Sequence, residues 1–232
     1  MSFPYLLRRT LLYMAALAFA LWVIIPVILI GISAFTPRQE LYQWPRSIIP
    51  SYFSLETMRF FLGAHGVVRS LLNSVEVALL TLAFTLAVGA PAGYAVARFL
   101  FRGREAFRLG VLITRMFPTA LLAVPLATTF IRWGLYDTLV GVALIHTAMA
   151  LPFAVIITTS IFMGVSKELE EAAMTLGCSR LGAFVRVALP LALPGLAAAA
   201  MFTFVVSWNE VFAAAILTVH NRTLPAHIIT TI

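Results

Sequence analysis

Leu71 to Ala97 reads "LLNSVEVALLTLAFTLAVGAPAGYAVA", with Glu76 as its one charged side chain. A helix that crosses the hydrocarbon core of a bilayer needs about 20 mostly apolar residues, and this stretch is longer than that. It shows no strict alternation of apolar and polar positions, which argues against a strand of a transmembrane barrel. In lipid, a helix satisfies its own backbone hydrogen bonds along such a run. Similar runs lie on both sides, at Leu11 to Phe35, Leu109 to Ile131, Leu139 to Gly164 and Leu191 to Val219. Together they predict an all-α, polytopic transmembrane helical bundle with five spans.

Composition agrees. Of the 232 residues, 62% are hydrophobic and 11% charged, and mean hydropathy is +1.00. A soluble domain carries roughly 25% charged residues. The net charge of +7 comes almost entirely from arginine, Lys167 being the sole lysine. The arginines lie between apolar runs and form no single patch. This argues against a nucleic-acid partner and for loops that meet anionic lipid. Cys178 is the one cysteine, so no internal disulfide and no cysteine-based metal cluster is possible, and the four histidines lack metal-ligand spacing. No metal site and no catalytic residue is expected. Arg8 and Arg9 precede the first apolar run as in a signal peptide. That run exceeds the roughly 7–15 residues of a signal sequence, so we read it as a retained first span.

If the spans alternate, Arg8, Arg9, Arg98, Arg102, Arg104, Arg108, Lys167, Arg180 and Arg186 share one side of the membrane. The other side has the long first loop with Arg38, Arg46, Arg59 and Arg69, offset in part by Glu40 and Glu56, then "RWGLYDT" and "HNRT". The bias predicts a cytoplasmic N-terminus. Pro26, Pro91, Pro118, Pro125 and Pro152 fall inside or near span centres. They either line a path, with neighbours satisfying the freed carbonyls, or reflect the higher proline frequency of membrane helices.

One segment interrupts the apolar pattern: "ELEEAAMTLGCSRLGAFVRVALPLALPG", Glu168 to Gly195. Ser166 is placed to cap a helix that starts at Lys167, with acid in its first turn where the helix dipole favours it. Leu169, Ala172, Ala173 and Leu176 form an apolar stripe, and Glu168, Glu171 and Thr175 a more polar face. Gly177 suits a left-handed C-cap. Ser179 is placed to cap a second short helix, and Pro190 and Pro194 punctuate entry to the next span. The predicted unit is a compact cytoplasmic helix–turn–helix. A DNA-reading role is excluded by the flanking spans. Acids in the first turn suit anionic headgroups poorly, which leaves docking to a protein partner.

Here the residues resemble a known family. Glu171-Ala172-Ala173, Gly177 and Val187-Ala188-Leu189-Pro190 resemble the EAA motif of binding-protein-dependent ABC importer permeases, with Val187 in place of isoleucine. Asn73-Ser74, "GYAVARFLFRGRE", "PLATTFIRWGLYDTLVG", "LPFAVIITTSIF", "SWNE" at Ser207 to Glu210 and "TLPA" resemble, in order, the MalG-type permeases of carbohydrate uptake. Leu176 stands where that pattern usually has Asp.

The resemblance implies a type I ABC importer (MetI/MalG-like) fold, with residues 1–70 as an N-terminal span and extracytoplasmic loop and 71–232 as the permease core. The segment 165–190 would be a coupling loop in which Glu168, Glu170, Glu171, Ala172, Ala173, Gly177, Leu189 and Pro190 engage an ATPase. Implied partners are a MalF-type permease subunit, two ABC ATPase subunits, an extracytoplasmic substrate-binding protein and membrane lipid of a bacterial or archaeal inner membrane. ATP and Mg would bind the ATPase subunits and no cofactor this chain, which has no P-loop lysine. Family members usually have a sixth span, expected here beyond Ile232.

Polar residues inside spans are costly and should face the bundle interior. Among Glu76, Arg115, Asn209 and Glu210, we read Glu210 as belonging to a translocation path and Glu76 and Arg115 as structural. His146 is read as a satisfied bundle histidine. Asn209, Glu210, Trp208 and Asn73 are the candidate path residues. Trp208, Phe204 and Phe212 fall on one helical face, suited either to sugar stacking or to packing. The alternative is an ion- or proton-coupled secondary transporter with Glu76 and Glu210 as relays, which leaves the acidic loop without a task. Maltose, trehalose, other oligosaccharides and glycerol 3-phosphate all remain open as solutes.

Overall fold

A computed structural model describes residues 3–44, 48–116 and 119–231. Arg46, Pro118 and Ile232 lie outside the described residues. The chain forms two compact units, Met1–Val67 and Val68–Ile232.

The first unit holds α1 (Phe3–Ala34), α2 (Arg38–Leu41) and α3 (Glu56–Gly63). Pro26 sits within α1 without ending it. The loop after α1 folds back on the end of that helix. Ser54 donates its N–H to the Phe35 carbonyl at 2.8 Å, and the Thr57 hydroxyl reaches the Thr36 carbonyl at 3.2 Å. The Arg38 guanidinium lies 4.0 Å from the Phe60 ring centroid.

The second unit is built on α4 (Val67–Arg98), followed by α5 (Arg104–Ile113), α6 (Thr119–Arg132) and α7 (Leu139–Gly164). Then come α8 (Lys167–Thr175), α9 (Arg180–Ala183), a π-helical turn at Phe184–Ala188, α10 (Leu189–Trp208), α11 (Phe212–Leu217) and α12 (Leu224–Thr231). Four helical stretches among the described residues are long and apolar enough to cross a membrane: Leu7–Ala34, Val67–Arg98, Leu139–Gly164 and Arg180–Trp208. They account for four of the five expected runs.

Two of the five runs are not continuous helices. Leu109 to Ile131 is divided between α5 and α6, with a 3-10 turn at Thr114–Met116. Pro118 supplies the reason in sequence: it lacks an N–H and disfavours the helical conformation of the residue before it. Leu191 to Val219 breaks after Trp208, and Phe212 therefore begins a separate helix and no longer shares a face with Phe204 and Trp208. By contrast, Pro91, Pro125 and Pro152 sit inside unbroken helices.

Helix α7 is the centre of the second unit, buried along much of its length. Small residues let its neighbours approach closely, the usual device in membrane bundles. A Cβ at Gly93 would lie 2.0 Å from Thr158 Oγ1, and one at Gly195 would lie 2.8 Å from Ile161. Across the α4–α7 contact, Thr158 donates its hydroxyl to the Gly89 carbonyl at 2.9 Å. One cluster of buried side chains joins Ala90, Phe162, Phe184, Ala188, Ala192 and Leu196, and a second joins Val77, Phe130, Val142, Ile145, Ala214 and Leu217.

Contacts define the two ends of this bundle. At one end, Arg98 of α4 meets Val165 and Glu170. At the other, Asn73 and Ser74 of α4 hold the segment before α12. Asn73 Nδ2 donates to the Arg222 carbonyl at 3.0 Å, and the Leu224 N–H donates to Ser74 Oγ at 2.7 Å. Asp137, between α6 and α7, lies at this second end.

Candidate functional site

The loop Val165–Pro190 closes the first end. Helix α8 begins at Lys167 as its sequence predicts, but the Ser166 side chain makes no capping bond. Gly177 ends the helix with φ +93°. Its N–H donates to the Met174 carbonyl and the Cys178 N–H to the Ala173 carbonyl, both at 3.0 Å. This paired arrangement is a Schellman motif, and the positive φ is why glycine belongs there. Ser179 caps α9, its Oγ accepting the Gly182 N–H at 3.1 Å. The chain then runs through the π-helical turn straight into α10. The Leu189 N–H bonds to the Phe184 carbonyl. Pro190 has no N–H for the Arg186 carbonyl, and the wider turn absorbs that loss.

Both faces of α8 named from the sequence are largely exposed, and one acid between them is turned inward. Leu169 and Leu176 of the apolar stripe are exposed, Leu176 to 88%, and so is Ala172, while Ala173 is half-buried. Glu170 is the buried residue of this helix, 3% exposed. Its carboxylate accepts from Tyr94 Oη at 2.6 Å and from Arg98 Nε at 2.8 Å, with Arg98 Nη2 2.6 Å away. Arg98 Nη2 also donates to the Val165 carbonyl at 2.8 Å. The other two acids stay outside: Glu168 is exposed, and Glu171 pairs with Lys167 at 3.1 Å on the surface. Leu189 packs against the Phe162–Phe184 cluster and Pro190 is exposed.

Tyr94 and Arg98 were not singled out by sequence reasoning. A signal was available, since both lie in "GYAVARFLFRGRE" and their i, i+4 spacing puts them on one helical face. A single carboxylate can receive both groups at once.

The opposite end holds a second, partly buried acid. Glu210 follows the break after α10. Its Oε1 accepts the Ala213 N–H at 2.9 Å and its Oε2 the Ala214 N–H at 3.2 Å, so it caps α11. Oε2 also lies 3.1 Å from His146 Nε2, and His146 Nδ1 lies 2.8 Å from Ser207 Oγ. Asn209 is exposed and returns its Nδ2 to the Val205 carbonyl at 2.9 Å, and Trp208 stacks on Phe204 with ring centroids 5.7 Å apart. Asn73 is buried on the Arg222 carbonyl, apart from the Trp208–Glu210 group. Arg115 bonds to the Met149 carbonyl and lies over Phe153 at 4.5 Å, so it pairs with no acid among the described residues. Glu76, expected to face the interior, is exposed on α4. Its neighbours Leu72, Val75 and Leu79 are exposed as well, so this whole face of the helix points outward.

A knot beside this end is made by Asp137. Its Oδ1 accepts N–H groups from Val219 at 2.9 Å and from His220 and Asn221 at 3.0 Å, while Asn221 Nδ2 donates to its carbonyl at 2.7 Å. Asp137 adopts φ 56°, a left-handed conformation that Asp tolerates better than most residues. Burial pushes its carboxyl up, but the three backbone donors outweigh this and hold it below the ordinary value.

Long apolar helices packed through small residues, with an ordered polar loop at one end, define a multi-pass helical membrane protein. Residues 89–230 match the family model described as binding-protein-dependent transport system inner membrane component, and the chain belongs to that family. It is 30% identical to the diacetylchitobiose uptake system permease protein DasC of Streptomyces coelicolor, across 81% of this chain and 68% of that protein. It is 34% identical to the trehalose transport system permease protein SugB of Mycobacterium tuberculosis, across 77% of this chain and 65% of that one. A crystal structure of a bacterial ABC transporter involved in the import of the acidic polysaccharide alginate contains a chain that superposes with a TM-score of 0.79. That match is at 22% identity, over 99% of this chain and 80% of the other. The fold is that of a type I ABC importer permease.

Proposed function

We propose that this chain forms half of the translocation path of an ATP-driven importer of a mono- or oligosaccharide, paired with a MalF-type permease subunit. Residues 71–232 are the permease core, and the N-terminus is cytoplasmic. An extracytoplasmic substrate-binding protein delivers the solute. Two ABC ATPase subunits bind ATP and Mg and carry out hydrolysis, and the loop 165–190 docks on one of them. The observation that carries this reading is the outward apolar stripe of α8. Leu169, Ala172 and Leu176 are exposed at the end of a bundle whose own acid, Glu170, is turned inward. An apolar face on so short a helix, flanked by Glu168 and Glu171, is suited to a protein groove and poorly suited to anionic headgroups. The carbohydrates named for DasC and SugB support the substrate class.

The test is co-purification of the tagged chain from its native membrane. An ATPase and a second permease should come down with it, and Leu176→Glu should release the ATPase while the second permease stays. If the chain purifies without an ATPase and moves solute on a proton gradient alone, the reading is wrong and the secondary transporter takes its place.

A further inference from the structure

The loop that flanks α7 and α10 in sequence is fastened to a third helix that it does not adjoin. The loop's parts converge on the last turn and a half of α4 and on Phe99, the residue that follows it. Helix α8 reaches α4 through Glu170, held by Tyr94 and Arg98, and the loop's first residue through the Val165 carbonyl on Arg98. Helix α9 lies against the residue just past the end of α4, with Arg180 5.7 Å from the Phe99 ring. The π-helical turn reaches α4 through Phe184, whose ring centroid is 4.5 Å from that of Tyr94. The carboxylate and the guanidinium are both nearly inaccessible, with side-chain exposures of 4% and 10%. Such a pair, removed from water and saturated with hydrogen bonds, has one preferred geometry and resists being pulled apart. It fits a joint that must hold its geometry under load.

Helix α4, joint included, is continuous for 32 residues, about 48 Å at 1.5 Å per residue. Its far end carries Asn73 and Ser74, which grip the Arg222–Leu224 segment. We infer that Tyr94 and Arg98 are positioning residues that lock the loop to α4, so that movement of the loop is carried along α4 to the opposite end of the bundle. This rests on the proposal that the loop docks on an ATPase. It adds that coupling travels through α4, a helix outside the loop's own flanks. A shared position along one chain of contacts is not itself coupling, so the test must read the movement of α4.

The experiment uses the whole complex, purified with its ATPase, in a Cys178→Ser background. Leu72, 64% exposed near the far end of α4, becomes the reporter as Leu72→Cys. Its labelling rate by a membrane-impermeant maleimide is measured with and without Mg-ATP plus orthovanadate. Nucleotide should change the rate by about tenfold, within the usual range of coupling between sites. Arg98→Gln should reduce that change to less than about twofold, with the ATPase still bound and its basal hydrolysis unaltered. A full response in Arg98→Gln, or no response in the parent complex, overturns the inference. If Arg98→Gln does not assemble, Tyr94→Phe decides, since it removes one hydroxyl only. A partial loss of the response then supports the inference, and an unchanged response or a parallel fall in basal hydrolysis overturns it. Failure of the underlying proposal has a different signature: no ATPase accompanies the parent chain at all.

Discussion

Glu170 and Glu210 are both tucked into the second unit, and they are held in opposite ways. Glu170 reaches across the fold to Tyr94 and Arg98 on α4, which lies far from it in sequence. Glu210 serves mainly its own neighbourhood: it caps the helix that starts two residues later and takes one imidazole, His146, from α7. The first acid joins separate elements. The second stabilises a break in one element. The difference teaches that a buried charge in a membrane bundle is not by itself a mark of the solute path, because each of these acids is occupied by a structural partner.

The sharpest way to break this comparison is to delete each acid in turn. Glu170→Ala leaves a nearly buried guanidinium without its counter-ion. Removing one member of a buried ion pair costs about 3–5 kcal/mol. Glu210→Ala removes hydrogen bonds from two N–H groups and from His146 Nε2, while His146 Nδ1 keeps its contact with Ser207. A loss of about 2–3 kcal/mol is expected, as for a bond to a charged group. Thermal unfolding of the detergent-solubilised chain should therefore show the larger drop for Glu170→Ala. Equal drops would mean that the two acids are held alike.

A change near the α8 end that leaves both acids intact comes next. Gly93 precedes Tyr94, and a Cβ there would meet Thr158 Oγ1 at 2.0 Å and the Thr159 backbone nitrogen at 2.8 Å. The backbone atom cannot swing aside. Gly93→Ala should cost about 2 kcal/mol by overpacking and weaken the Tyr94–Glu170 contact. Gly110→Ala, where a Cβ meets nothing within 4 Å, should be neutral or better in the same melts.

How much of this was legible beforehand follows from what each feature depends on. Span length and hydropathy depend on runs of residues, so α1, α4, α7 and most of α10 could be located from the sequence. The Gly177 C-cap was legible because a local backbone requirement fixes it. The orientation of α8 was not. Three acids stand in four residues, and only the Tyr94–Arg98 pair, some 70 residues away, decides that Glu170 is the one drawn inward. The break after Trp208 was hidden for a similar reason. Hydropathy averages over Asn209 and Glu210 and does not see that Glu210 ends one helix to cap another.

Two serines that look alike in sequence give a smaller test at the α8 end. Ser179 accepts an N–H from Gly182, while Ser166 caps nothing. Ser179→Ala should cost about 1 kcal/mol, the usual loss of an N-cap, and Ser166→Ala almost none. If both alanine variants melt alike, the loop is not held as described.

The smallest effect belongs to the Asp137 knot, because that carboxyl is only partly buried and its charge is screened by solvent. Its folded-state pKa lies below the ordinary value of 3.8. The unfolded chain therefore binds the proton more readily than the folded one. The stabilisation is fully present above the unfolded pKa of about 3.9 and is lost as pH falls through the lower, folded value. From about pH 8 to pH 5 the knot should add a constant increment to stability, and below about pH 4 that increment should fade. Asp137→Asn keeps one acceptor oxygen and no charge. Its melting temperature should trail the parent's by a fixed small margin at neutral pH and converge on it in acid. A margin that widens as pH falls would mean that the three N–H donors from Val219, His220 and Asn221 do not hold the ionised form, and that the turn at Asp137 is set by its backbone alone.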